Sequence, residues 1–274
     1  MIFYSKRRGV ALLLLVLLAA ALLVAHSVYA PALQRIVHIY GWLLFLLIVI
    51  LSLYNARKKL PFLPLGTSEG WLQFHIYAGL LTILLFGLHV RWRLPTGWFD
   101  SILFALYLLV TLSGIIGLFF TRIIPKRLTT RGGEVLFELI PVVRRSLRKE
   151  AKSLALKAIP EAQSTTLADF YVRHLKDFFQ RPRNFWMHLF ENRSRVNSLL
   201  NKINDLNRFL DEKERVTASR ISELVRQKDG LDHQRALQIT LKVWLFVHIP
   251  FTYSLLIFSV LHIVIVYAFS GGAP

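Results

Sequence analysis

Residues 241–269 read LKVWLFVHIPFTYSLLIFSVLHIVIVYAF. The stretch is long and apolar enough to cross a bilayer, which takes about 20 residues of helix. It contains His248 and His262, and 262 − 248 = 14. A second apolar stretch, residues 71–92, contains His75 and His89, and 89 − 75 = 14. At about 100° per residue, fourteen residues make roughly four turns less 40°. Each pair therefore lies on one face of its helix, separated by about 21 Å along the axis. The two helices carry the same pair at the same spacing.

Composition agrees with a membrane chain. Of 274 residues, 54% are hydrophobic, and the mean hydropathy is +0.48. Three further apolar runs, 10–24, 36–54 and 102–120, bring the number of spans to five. The first follows Lys6, Arg7 and Arg8. Its shape is shared with a cleaved signal peptide, but the run is long for one, so a retained span is expected. The fold class expected is all-α integral membrane, with five transmembrane helices forming a haem-binding bundle and a helical cytosolic insert between helices four and five. The domains expected are 1–121, 122–240 and 241–274.

The net charge of +18 has a membrane explanation. Lys and Arg gather on the cytoplasmic side of membrane proteins. Three lie in the N-terminal tail, three at Arg57, Lys58 and Lys59, and 24 in residues 122–240. The opposite loops hold only Arg35, Arg91 and Arg93. The N-terminus is thus expected in the cytoplasm and the C-terminal Gly271-Gly272 tail outside, in a bacterial inner (plasma) membrane. No groove-reading motif accompanies the charge, so no nucleic acid partner is expected.

Residues 122–240 are polar and helical in pattern. Thr166-Leu167-Ala168-Asp169 resembles a capping box. Val196, Leu199, Ile203, Leu206 and Leu210 form an apolar stripe, expected to cover the inner cofactor or dock a partner protein. Asp229-Gly230 reads as a break, with Asp232 capping a new helix into span five. No phosphate loop or catalytic motif appears.

The chain has no cysteine, which removes disulfides, iron–sulfur clusters and covalent c-type haem. Spans three and five both run inside to outside. His75 and His248 then share the inner level, and His89 and His262 the outer. Polar groups at membrane depth are costly and mark function. Two imidazoles at each of two levels suit the axial positions of two haem irons. The four histidines are the expected metal ligands of two bis-histidine b-type haems. Gly79, one turn from His75, and Gly87, near His89, would let a flat macrocycle approach the helix. Arg91 and Arg93 at the outer level, and Arg235 and Lys242 at the inner, are candidates to pair with propionates, or equally to anchor the helices at the interface. Pro250 should bend span five. Gly114 and Gly117 are small contact residues in span four. His26 and His38 flank the first outer loop, as interfacial residues, a quinone contact or a third ligand set.

The four histidines on spans three and five resemble the haem-bearing half of cytochrome b in the quinol-oxidising bc-type complexes. They also resemble the membrane domain of ferric reductases and NADPH oxidases. The resemblance covers 71–120 and 241–269 and implies a di-haem b-type cytochrome. The Pro-Glu-Trp-Tyr signature of outer-side quinol oxidation is absent, and neither family has this long segment between spans four and five. The function expected is transmembrane electron transfer, as the membrane subunit of a larger oxidoreductase. It calls for membrane lipid and for redox partner proteins on one or both sides, with quinone as a further candidate. The alternatives are a quinone-reactive oxidoreductase in its own right and a non-redox scaffold presenting the basic insert.

Overall fold

Leucine and alanine fill most of residues 11–22, and both are strong helix formers. The first helix, α1, accordingly runs Ile2–Tyr29. The computed structural model describes residues 2–30, 36–59, 67–129, 135–162 and 165–270. Arg35, the Pro61-Phe62 start of the loop before span three and the Gly271-Gly272 tail lie outside the described residues. All regular structure among the described residues is helical. Five of the helices are long and apolar enough to cross a membrane.

Two compact units divide the chain: residues 1–119 with 244–274, and residues 120–243. The first unit holds α1, α2 (Ile36–Lys59), α3 (Ser68–His89), most of α4 (Trp98–Leu128) and the later part of α10 (Glu212–Ser270). Helix α2 packs along α3. Their shared core is Tyr40, Leu44, Ile48, Leu85 and Leu88, joined by Tyr107 of α4 and Leu255 of α10. Tyr107 stacks on Phe86 with centroids 3.8 Å apart and donates to Thr82 Oγ1 at 3.1 Å. A hydroxyl buried in this core is thus given the partner it needs. Many large apolar side chains of these helices face outward, which is compatible with an integral membrane protein.

Helix α3 ends earlier than the hydropathy of 71–92 predicts. The Thr67 side chain caps its start, accepting from Gly70 N at 3.2 Å. At the other end Arg91 and Trp92 both take left-handed backbone, φ 54° and 55°. Such a conformation costs non-glycine residues roughly 1–2 kcal/mol each. Here the chain folds back, and Trp92 N donates to Gly87 O at 3.0 Å.

The second unit contains α5 (Ile140–Ala162), α6 (Thr166–Phe170), a π-helical turn at Tyr171–Leu175, α7 (Lys176–Gln180), α8 (Phe185–Leu189), α9 (Ser194–Leu206) and the first part of α10. Thr166 is the first residue of α6, with Thr165 at the cap position. Two expectations are corrected in this unit. The stripe Val196, Ile203 and Leu210 is buried in the unit's own core, with Leu199 and Leu206 packed against it. It is therefore covered by α5, the π-turn and α10 side chains rather than left for a partner. Likewise Asp229-Gly230 does not break the chain, and α10 runs through it from Glu212. A helical glycine costs about 1 kcal/mol. Burial of Leu224, Val225, Leu231 and Leu237 around it, each contributing about 1.5–3 kcal/mol, outweighs that cost.

Asp232 is consequently an interior helix residue, not a cap. Its carboxylate accepts from Lys228 Nζ at 2.5 Å and from Arg183 N at 3.1 Å. Lys228 also donates to Arg181 O at 3.0 Å. Both side chains are almost fully buried. Burial pushes the Lys228 ammonium down and the Asp232 carboxyl up, each towards its neutral form, and the partner's charge opposes both shifts.

Candidate cofactor site

The fourteen-residue spacing only puts His89 and His262 on faces of their own helices. Packing decides whether the faces meet, and in the first unit they do. The two rings stand with centroids 6.4 Å apart and planes at 86°. A metal–imidazole bond is about 2.0 Å and the ring centre lies about 1.1 Å beyond the nitrogen, so two axial imidazoles on one metal stand about 6.2 Å apart. The outer pair is within reach of that separation.

The second ring nitrogen of each decides the tautomer. His89 Nδ1 donates to Val37 O at 3.0 Å. His262 Nδ1 stands 3.5 Å from Asp100 Oδ1, and Phe99 stacks on its ring. In both, Nδ1 faces an acceptor and Nε2 remains for a ligand. Metal-bound histidines have this arrangement, in which the outer acceptor sets the tautomer and ring orientation. Gly41 of α2 completes the seat of His89, since a Cβ there would lie 2.8 Å from its Cε1. Both histidines line a cavity of about 620 Å³ with His38, Arg93, Asp100 and the apolar side chains of Leu44, Phe86 and Phe104. That volume is in the range of cofactor and ligand sites.

The inner pair is built differently. His75 lies against Tyr54, centroids 5.2 Å apart. His248 stacks on Trp244 at 5.6 Å, and its Nδ1 donates to Ser113 Oγ at 2.7 Å. The Ser113 hydroxyl itself donates to Val110 O at 2.9 Å, which leaves its oxygen to accept. Trp244 Nε1 donates to Ser113 O at 2.8 Å. Gly114 faces His248 Cε1 at 3.7 Å from a notional Cβ, and Gly117 lies under the Trp244 indole. The two small residues of α4 therefore receive these two rings of α10. His248 has an acceptor on Nδ1 like the outer histidines.

The remaining candidates scatter. A Cβ on Gly79 would meet open space. Gly87 accommodates the Trp92 ring, 2.5 Å from a notional Cβ. Arg91 is exposed on the left-handed turn, while Arg93 lines the cavity. Arg235 and Lys242 belong to the second unit. There Lys242 pairs with Glu138 at 3.1 Å and sits over the Phe137 ring. The Glu138 carboxyl is held below its usual range by its own backbone N–H and by Lys242. His26 Nδ1 and Tyr40 OH are hydrogen-bonded at 3.1 Å, joining α1 to α2.

Gly41, Val37, Asp100 and Ser113 carry no signal in the spacing. Each is recognisable only by its contact with a histidine of another helix. Among the described residues no group of three or more His, Asp or Glu gathers as a metal site. His89 and His262 are the two histidines whose rings are brought face to edge. No protein family, curated protein or solved structure matches the chain.

Proposed function

We propose that the chain is an integral-membrane di-haem b-type cytochrome that carries electrons across the membrane as a subunit of a larger oxidoreductase. The observation that carries the reading is the outer pair: His89 and His262 at 6.4 Å, each with an acceptor at Nδ1. His89 and His262 would hold one haem, and His75 and His248 the second. Held by these histidines, a haem would supply reversible one-electron transfer. The protein's part is to orient the rings through Val37, Asp100 and Ser113 and to keep water from the apolar cavity walls. Arg93 is the cation available at the outer cavity for a propionate.

The purified protein should contain two non-covalent low-spin haems per chain in a pyridine haemochrome assay, with a b-type reduced-minus-oxidised spectrum. Haem stain that survives denaturation, or a stoichiometry near zero, would overturn the reading. The orientation proposed, with residues 122–240 in the cytoplasm of a bacterial plasma membrane, rests on the Lys/Arg asymmetry. Protease added to sealed spheroplasts should spare that segment. Cleavage within it would reverse the assignment.

A further inference from the structure

Residues 181–195 read RPRNFWMHLFENRSR. They carry Arg181, Arg183, Arg193 and Arg195, and the single acid Glu191. Glu191 is occupied, 2.6 Å from Arg127 Nε. At the centre is α8, whose Trp186 is 67% exposed and Phe190 beside it 75% exposed. Two large aromatics this exposed need a partner surface. Left-handed residues bracket the segment, Asn184 at φ 62° and Glu191 at φ 57°. Arg127 Nη2 donates to His188 O at 2.9 Å, tying the segment to α4.

Leu189, next to Phe190 and one turn from Trp186, shows at what level the segment lies. Leu189 packs into a cluster with Phe120, Ile124, Leu128, Leu237 and Leu241. Phe120 and Leu241 are the residues at which the apolar runs of spans four and five stop and start. With α4 and α10 read as membrane spans, helix α8 is fastened within about two turns of the points where their apolar runs end. Tryptophan belongs at that depth, with an apolar ring in the acyl boundary and a polar edge among headgroups. Arginines around it complement phosphate, which they bind in bidentate geometry.

We propose that α8 and its arginine-rich flanks form an interfacial anchor, in which Trp186 and Phe190 enter the bilayer boundary and the four arginines bind anionic phospholipid headgroups. The anchor rests on reading α4 and α10 as membrane spans, and it is independent of any haem. Short aromatic segments with a basic surround bind membranes through buried apolar area together with attraction to anionic lipid.

The chain has no cysteine, so Trp186→Cys and Phe190→Cys each create a unique labelling site. The full-length variants, carrying an environment-sensitive fluorophore, are reconstituted in phosphatidylcholine vesicles with and without phosphatidylglycerol. Shallow nitroxide-labelled lipid should quench both labels several-fold more than aqueous iodide, with the larger ratio in phosphatidylglycerol. Combined Arg181→Gln, Arg183→Gln, Arg193→Gln and Arg195→Gln should remove the phosphatidylglycerol advantage while far-UV helicity is unchanged. Labels quenched mainly by iodide in both vesicles, in protein that floats with the lipid, would overturn the anchor alone. Protein that fails to float with either vesicle would overturn the membrane spans, and the anchor with them. A lipid preference unchanged by the four substitutions would overturn the role of the arginines.

Discussion

The outer and inner histidine pairs share one spacing, yet their surroundings differ. His89 and His262 stand ring to ring in a cavity walled by α2, α3, α4 and α10. His75 and His248 are each held by a neighbouring aromatic, Tyr54 and Trp244. A matched spacing therefore does not decide what each ring packs against. That decision belongs to the helices between them. Gly41 clears a seat for His89, whereas Ser113 and Gly114 receive His248 on the α4 side.

Removing the rings has the largest expected effect. His89→Ala and His262→Ala should abolish the same haem, and His75→Ala and His248→Ala the other. Redox titration of each variant resolves the two by midpoint potential. If His75→Ala matched His262→Ala instead, parallel spans and the five-span arrangement would both have to be given up, because roughly 21 Å along the axes separates the levels.

Buried polar groups of the second unit give the next largest effect. The histidines rely on neutral or half-exposed acceptors, while Lys228 and Asp232 are almost fully buried against each other. Lys228→Met should destabilise the second unit by about 3–5 kcal/mol, since it strands a buried carboxylate. Lys228→Met with Asp232→Leu should recover most of that loss. Thermal unfolding in detergent measures both. A single variant as stable as the wild type would mean that Asp232 is already neutral there.

Smaller changes separate the seats of His89 and His248. Gly41→Val drives a side chain into the His89 ring and should cost about 1–3 kcal/mol by overpacking. The outer haem should be lost or become high-spin while the inner is unaffected. Gly114→Ala meets His248 only at ordinary van der Waals distance and should leave both spectra as they are. Equal damage from the two would remove the distinction between the seats. Smallest is Ser113→Ala, which takes away the acceptor at His248 Nδ1. Loss of such an outer partner weakens metal affinity about 10-fold. Haem titration of the apoprotein should show that loss in the inner site alone.

The chain's helical class and its long apolar elements were legible from hydropathy, because unbroken apolar runs of about 20 residues are long enough to cross a bilayer only as helices. The meeting of His89 with His262 was legible too, since the shared fourteen-residue spacing anticipates it. The errors have one physical origin, tertiary contact overriding a local signal. Gly230 reads as a breaker, but buried leucines and valine on α10 hold the helix through it. Gly87 reads as a seat for a macrocycle, but it accommodates Trp92 after a left-handed turn at two non-glycine residues. Nothing in Arg91 or Trp92 announces that turn. Gly41 and Asp100 belong to helices without the matched pairs, so no periodicity along α3 or α10 could reveal them.

The identity of the Nδ1 acceptors bears on how freely the site can vary. His89 donates to a main-chain carbonyl, that of Val37. No substitution deletes a carbonyl, so its ring orientation survives mutational drift at position 37 as long as α2 stays put. His248 and His262 depend instead on the Ser113 side chain and the Asp100 carboxylate. A single nucleotide change can alter either one. One histidine of the outer pair is thus nearly immune to genetic tuning and the other open to it, which gives selection a fixed reference and an adjustable partner within a single site.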